Sequence, residues 1–201
     1  MTWQDIFKSV TLLGDNFVLL FFSAVFVVYL HKQKQKSLAK AWIQALLFCL
    51  GAVLVSKAIG YALIGRTPDA LFVSISGHST FATFYYLSVW LVIQSKTSPA
   101  SISWRRSAMV VAVIGLILAV AFSRLILEQH TIGEIVAGLV LGLLGVLLFW
   151  RRRQEDATGL GFYQVALAAV IVGRIVVACQ PVPLEDLVQH GADSVVGSLW
   201  Q

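Results

Sequence analysis

Charge is what this chain has least of. Of its 201 residues only 12% are Asp, Glu, Lys or Arg, against about 25% in an ordinary soluble domain. Too few polar groups remain to cover a water-facing surface, and the mean hydropathy is +0.83. Lipid is therefore the expected solvent for most of the chain. Cysteine is scarce as well. Cys49 and Cys179 lie in apolar runs that the topology below puts near opposite membrane faces, too far apart for a disulfide. Both read as small packed hydrophobes. The N-terminal stretch lacks a basic n-region and a small-residue cleavage site, and Asp5 and Asp15 precede the first apolar run. That run reads as a retained helix and not as a cleaved signal. Internal repeats and low-complexity tracts are missing. So is any Asp-rich or His/Cys-rich set of the kind metal sites need, and neither metal nor cofactor is expected.

What the chain does have is long apolar runs, at 16–30, 39–64, 79–94, 107–123, 131–150 and 162–179. At roughly 20 apolar residues per span, this length accommodates about six transmembrane helices with short loops. Only helices and closed barrels satisfy every backbone group in lipid. These runs are too long and too uniformly apolar for barrel strands, which alternate. The expected fold is an all-α polytopic membrane bundle, one integral-membrane domain over residues 1–201. Residues 2–15 are expected to form a short interfacial helix anchored by Trp3.

The loops alternate in character. Lys32, Lys34, Lys36 and Lys40 follow the first run, Lys96, Arg105 and Arg106 the third, and Arg151, Arg152 and Arg153 the fifth. These are ten of the fifteen Lys and Arg residues, all on one side. The opposite side carries Glu185, Asp186 and Asp193. The positive-inside rule puts both termini outside. The net charge of +5 thus reports topology and anionic headgroups, not nucleic acid. Compactness and short loops point to a bacterial inner membrane.

Lys57, Arg66, Arg124 and Arg174 lie instead at the outer ends of the runs, with His78 and His130 at the same level. Intramembrane charges are functional-site candidates by default, and cations gathered at one depth suggest an anion site. His130 and Glu134 are one helical turn apart and share a face. A carboxylate on one imidazole nitrogen fixes the tautomer and makes the other nitrogen more nucleophilic. Arg124, across the loop, can grip phosphate oxygens with two donors. In Ser74–Thr80, Gly77 lets the backbone come close to a ligand. The helix start there favours an anion, and His78 can give a proton to a leaving oxygen. Plainer readings stand beside these. Ser76 or Ser79 can simply cap the helix, and Glu134 can be a structural partner of Arg124.

Ser76-Gly77-His78 and Ser123-Arg124…His130…Glu134 resemble the second and third signature motifs of the type 2 phosphatidic acid phosphatase family, which read Pro-Ser-Gly-His and Ser-Arg-x5-His-x3-Asp. Ile75 stands where proline is usual, and Glu134 where aspartate is usual. The resemblance covers roughly residues 40–150, the expected phosphatase core, with 160–201 as an extra C-terminal helix and outer tail. It implies that His130 is the nucleophile that forms a phosphohistidine, that Glu134 orients it and that His78 is the general acid. Arg124 and the Ser76–Gly77 backbone would hold the phosphate. The family's fold is shared by vanadium haloperoxidases, whose mostly soluble carriers rank that chemistry low for this chain.

The first motif, Lys-x6-Arg-Pro, fits less well. A spacing of seven residues at about 100° each brings Lys and Arg to nearly one face. Here Lys57, Arg66 and Pro68 are the candidates, and nine residues put Arg66 opposite Lys57. Either the helix breaks near Gly60 or Gly65, or Arg66 is not a ligand. Asp69 can hold Arg66 in a local ion pair. A lysine in an apolar helix calls for an anion beside it, so Lys57 is the firmer phosphate ligand.

Arg174 reads as a snorkelling side chain, or as an aid to the site. Glu128 and Gln129 flank the nucleophile and shape headgroup access, and His31 and His190 lie in polar flanks. Gly133, Gly138, Gly142 and Gly145 suggest close helix packing. The expected function is a metal-independent lipid phosphatase in the bilayer. Its site faces the periplasm and acts on phosphatidic acid, phosphatidylglycerol phosphate or an isoprenyl diphosphate. The alternative is an inactive relative, or a small transporter, that binds headgroups or anions.

Overall fold

The computed structural model describes residues 3–63, 72–94 and 104–152, and among them there are helices and short connections but no strand. The helices are α1 (Trp3–Leu12), α2 (Asn16–Lys32), α3 (Lys36–Leu63), α4 (Gly77–Gln94), α5 (Trp104–Ile126) and α6 (Ile132–Arg152). The fold class is the expected all-α bundle. Four of these helices are long and apolar enough to cross a membrane. The sixth run, 162–179, lies outside the described residues, as do Arg66, Arg174, Cys179, His190 and the acidic C-terminal stretch.

Helix α4 is the exception in composition and the centre in packing. It touches α2, α3, α5 and α6, and every residue from Gly77 to Phe84 is buried. Enclosed by apolar helices, it can carry His78, Ser79, Thr80 and Thr83 without facing lipid. The outer helices show the opposite pattern. Val111, Ile114, Leu118 and Phe122 of α5, and Val136, Val140 and Leu147 of α6, are exposed at helical spacing. Continuous apolar stripes of this kind suit lipid and not water.

In lipid, apolar side chains gain little by leaving the solvent, so small residues that admit close backbone approach hold helices together. A Cβ on Gly142 would lie 2.6 Å from Thr83 Cβ and 2.7 Å from the Thr80 carbonyl oxygen. One on Gly138 would lie 2.6 Å from the Ser76 carbonyl oxygen, and one on Gly145 would run into Cys49 Sγ. Three of the four expected glycines thus pack tightly on α3 and α4. Gly133 does not, since its Cβ would meet Phe72 at an ordinary 3.7 Å.

Towards the other end of the bundle, fully buried Trp42 of α3 gathers its neighbours. Its ring centroid is 4.4 Å from Phe26 of α2, 5.0 Å from Phe84 of α4 and 5.4 Å from Phe149 of α6. Such aromatic pairs add about 0.5–1.5 kcal/mol each beyond burial. Arg152 donates to Gln44 Oε1 at 2.7 Å, tying the end of α6 to the start of α3. The described basic loop residues thus share the end opposite His78 and His130. Between α2 and α3 the chain reverses through Lys34, at φ 60. Gln35 N–H reaches back to the Leu30 carbonyl and Lys34 N–H to that of His31, which satisfies carbonyls orphaned at the end of α2.

Helix ends fall within a few residues of expectation, with two consequences. Helix α4 begins at Gly77, two residues before the expected 79, so His78 belongs to its first turn and not to a preceding loop. Helix α3 runs unbroken through Gly60 to Leu63, which removes Gly60 as the site of a break. Gly60 is needed for another reason, since a Cβ there would collide with the Val73 carbonyl.

The packing of α4 on α6 generates a test. Gly142→Ala forces a methyl against a backbone carbonyl that cannot yield and should cost roughly 1–3 kcal/mol, seen as a lower thermal midpoint in detergent. Gly51→Ala is the control. Nothing lies within 4 Å of its Cβ, so it should hold or raise the midpoint. Equal behaviour of the two variants would contradict this packing.

Candidate active site

The site is built on the first turn of α6. Thr131 precedes the helix, and its carbonyl accepts Ile135 N–H at 3.1 Å. Its N–H donates to Glu134 Oε2 at 3.0 Å, and Glu134 N–H points back to Thr131 Oγ1 at 3.4 Å. This is a reciprocal capping box, the arrangement that favours Glu three residues after Thr. The same Oε2 lies 3.0 Å from His130 Nδ1. A carboxylate that accepts from backbone N–H groups also accepts from the ring. In the neutral ring Nδ1 therefore carries the proton, and Nε2 is the nitrogen with the lone pair.

The other carboxylate oxygen reaches into the segment before α4. Glu134 Oε1 accepts Val73 N–H at 2.8 Å and Ser74 N–H at 2.9 Å. The Glu134 carbonyl takes Ser76 N–H at 3.1 Å, and Ser56 Oγ on α3 takes Ile75 N–H at 2.9 Å. Four consecutive backbone donors, 73–76, are thereby committed to α6 and α3. The plainer reading of Glu134 as a partner for Arg124 is not what holds it, because both its oxygens serve His130, Thr131, Val73 and Ser74.

This network also settles what Ser76 does in the fold. Its carbonyl accepts Thr80 N–H at 3.1 Å, and its hydroxyl faces Ser79 N–H at 3.5 Å and the Ser79 hydroxyl at 3.2 Å. Ser76 is thus the cap of α4. A phosphate on the Ser76 N–H would have to displace the Glu134 carbonyl. Gly77 is buried, and a Cβ there would lie 2.8 Å from Asn16 Nδ2. Its missing side chain makes room for α2.

Arg124, in the last turn of α5, is buried, and its Nη1 donates to Thr11 Oγ1 of α1 at 3.3 Å. Ser123 turns its hydroxyl to the Val120 carbonyl at 2.7 Å. After α5 the chain turns through Glu128, at φ 55. Gln129 N–H returns to the Arg124 carbonyl, and this turn delivers His130 to the cap of α6. Glu128 and Gln129 themselves are exposed beside it. Lys57 is buried one residue after Ser56, on the stretch of α3 that touches Val73–Ile75. Arg66, expected to join it, lies outside the described residues.

The structure therefore brings His130, Glu134, His78, Arg124, Lys57, Ser76 and Gly77 to one end of the bundle. Among the described residues, the buried Asp, Glu, Lys and Arg side chains are Asp15, Lys57, Arg124 and Glu134, and all four belong to this cluster. Sequence reasoning did not find Asp15, Thr11, Ser56 or Thr131. Thr131 was legible as Thr-x-x-Glu, a capping-box pattern. Asp15 was legible as an acid at the edge of an apolar run. Ser56 and Thr11 leave no local signal.

Glu134→Gln tests the network. It replaces one acceptor oxygen by an NH2 donor facing N–H groups, and stranding a buried donor costs about 1–3 kcal/mol. A fall in the detergent thermal midpoint is expected. An unchanged midpoint would show that Val73, Ser74, Thr131 and His130 find other acceptors.

Comparison with known proteins agrees with this geometry. A sequence model of the PAP2 superfamily matches residues 65–157, which include His78, Arg124, His130 and Glu134. A curated protein of Klebsiella pneumoniae, described as an uncharacterized 22.5 kDa protein in the cps region, is 32% identical over 155 residues, or 74% of this chain and 68% of that protein. No solved structure matches significantly. With both His-bearing motifs held together at one end of a membrane helical bundle, the chain belongs to the PAP2 superfamily.

Proposed function

We propose that this chain hydrolyses a phosphate monoester or diphosphate of a lipid, through a phosphohistidine formed on His130. Membership of the PAP2 superfamily supports a phosphatase-type activity in general. The observation that carries the finer reading is the 3.0 Å contact between His130 Nδ1 and Glu134 Oε2, which leaves Nε2 as the nucleophilic atom.

In the first step the Nε2 lone pair attacks phosphorus and the bond to the leaving oxygen breaks. His78 gives that oxygen a proton. In the second step water attacks the phosphohistidine, its proton passes to His78, and phosphate and neutral His130 are released. Lys57 and Arg124, both buried, supply fixed positive charge for the phosphoryl oxygens. Preorganised cations of this kind stabilise charge at no reorganisation cost. Arg66 is proposed as a third cation, and Gly77 N–H as a donor at the start of α4. On this reading no metal is required. The lipid tails stay in the bilayer beside the exposed apolar faces of α5 and α6, and the site faces the periplasm of a bacterial inner membrane. Phosphatidic acid, phosphatidylglycerol phosphate and isoprenyl diphosphates are the substrate classes proposed.

The test is phosphate release from a panel of lipid mono- and diphosphates by the purified chain in detergent with EDTA. Wild type should release phosphate, and His130→Ala should lose at least about 10³-fold in kcat. Equal release by the variant would remove His130 from the chemistry. A folded wild type that binds vanadate yet releases nothing from any lipid would favour a headgroup-binding relative.

A further inference from the structure

We propose that Asp15 is a positioning residue for His78, the counterpart of Glu134 for His130. This rests on the reading of His78 as the proton donor. Asp15 precedes α2 and caps it, with Val18 N–H donating to its Oδ1 at 3.1 Å. Its other oxygen, Oδ2, faces His78 Nε2 at 3.9 Å, and both side chains are more than nine-tenths buried. That distance is ion-pair range, longer than a hydrogen bond. One oxygen is thus spent on the helix cap and the other on a histidine, the same division that Glu134 makes at α6. When His78 holds the proton it is to give away, Asp15 is its counter-charge.

The segment around Asp15 is built into the site and not draped over it. Tyr86 of α4 donates to the Leu13 carbonyl at 2.6 Å. Gly14 is packed so closely on Val120 of α5 that it admits no side chain. Asn16 lies against Gly77, and Thr11 accepts from Arg124 at 3.3 Å. Residues 11–16 therefore meet the elements that carry His78 and Arg124 at four points. None of residues 11–16 belongs to the signature motifs, the nearest candidate of which, Lys57, lies more than forty residues on along the chain.

The experiment exploits the leaving group. Proton donation matters for an alkyl lipid phosphate and hardly for p-nitrophenyl phosphate, whose leaving group departs as a stable anion. Asp15→Asn keeps an N-cap for α2 and removes the charge, and Asp15→Ser does the same with a smaller side chain. For the full chain in detergent, both variants should lose about 10- to 100-fold in kcat/KM on phosphatidic acid, or on whichever lipid phosphate the panel ranks first, and under about threefold on p-nitrophenyl phosphate. The ratio kcat/KM is the quantity to read, because it ends at leaving-group departure and excludes the later step, common to both esters, in which His78 takes a proton from water. Equal loss on both esters, or no loss, overturns the role of Asp15. His78→Ala separates the two readings. If it shows no dependence on the leaving group, the assignment of His78 as proton donor fails, and that of Asp15 with it. If His78→Ala shows that dependence and Asp15→Asn does not, only Asp15 is refuted. Turnover of neither ester by folded wild type overturns the phosphatase reading itself.

Discussion

The Glu134 carboxylate is the point on which the arrangement depends. It accepts from Val73, Ser74, Thr131 and His130, all within 3.0 Å. A buried carboxylate among apolar helices is costly unless its oxygens are fully engaged, and here both accept twice. The same four bonds cap α6, set the tautomer of His130 and fasten the segment that leads into α4. On the proposed function, stability and chemistry are therefore one interaction. The carboxylate proposed to orient the nucleophile also ties the segment before α4 to the start of α6.

The rest of the bundle serves to bring helix ends together. Helices α2, α4 and α6 all start at this end, and α5 finishes there with Arg124. Each starting helix has its own cap, from Asp15, Ser76 and Thr131 with Glu134. Three helix N-termini meet at this end, and the carboxylates of Asp15 and Glu134 that cap two of them stand against the buried cations Lys57 and Arg124. The glycines of α6 make this geometry possible. Gly138 admits the Ser76 carbonyl and Gly142 the Thr80 carbonyl, which sets the start of α4 beside the start of α6. At the other end the rings around Trp42 hold the same helices where no chemistry is required.

How much of this was legible in the sequence follows from the range of each interaction. The apolar runs gave the helices to within a few residues, because span length is set by the bilayer. His130 with Glu134 was legible because i and i+4 share a helix face. Lys57, Arg124 and His78 stood out because charge is rare at that depth. Contacts between distant parts of the chain were not legible. Thr11 with Arg124, Asp15 with His78 and Ser56 with Ile75 join residues whose spacing carries no pattern. The backbone roles were also hidden. Nothing in Ser76-Gly77-His78 tells that the Ser76 N–H is committed to a carbonyl on α6, or that Gly77 makes room for Asn16. Of the two breaks offered for the first motif, the one at Gly60 is absent, because Gly60 is a contact point within a continuous helix, while Gly65 lies outside the described residues.

The two departures from the family's pattern gain a physical account from the same network. Proline before the Ser-Gly-His would fix φ but has no N–H to give. Ile75 does give one, to Ser56 Oγ at 2.9 Å, so a hydrogen bond to α3 immobilises the segment in place of a ring. Aspartate at 134 would be shorter by one carbon–carbon bond, about 1.5 Å. It could not span from the Val73 and Ser74 amides to Thr131 and His130 without moving one of them. The longer carboxylate and the non-proline residue fasten neighbouring parts of one segment. Glu134 holds the Val73 and Ser74 amides, and Ser56 holds that of Ile75. Read singly, each substitution weakens the motif and favours a relative that binds without turning over. Read as a pair, they replace one means of fixing the motif by another, with both histidines and Arg124 still in place at the same end of the bundle.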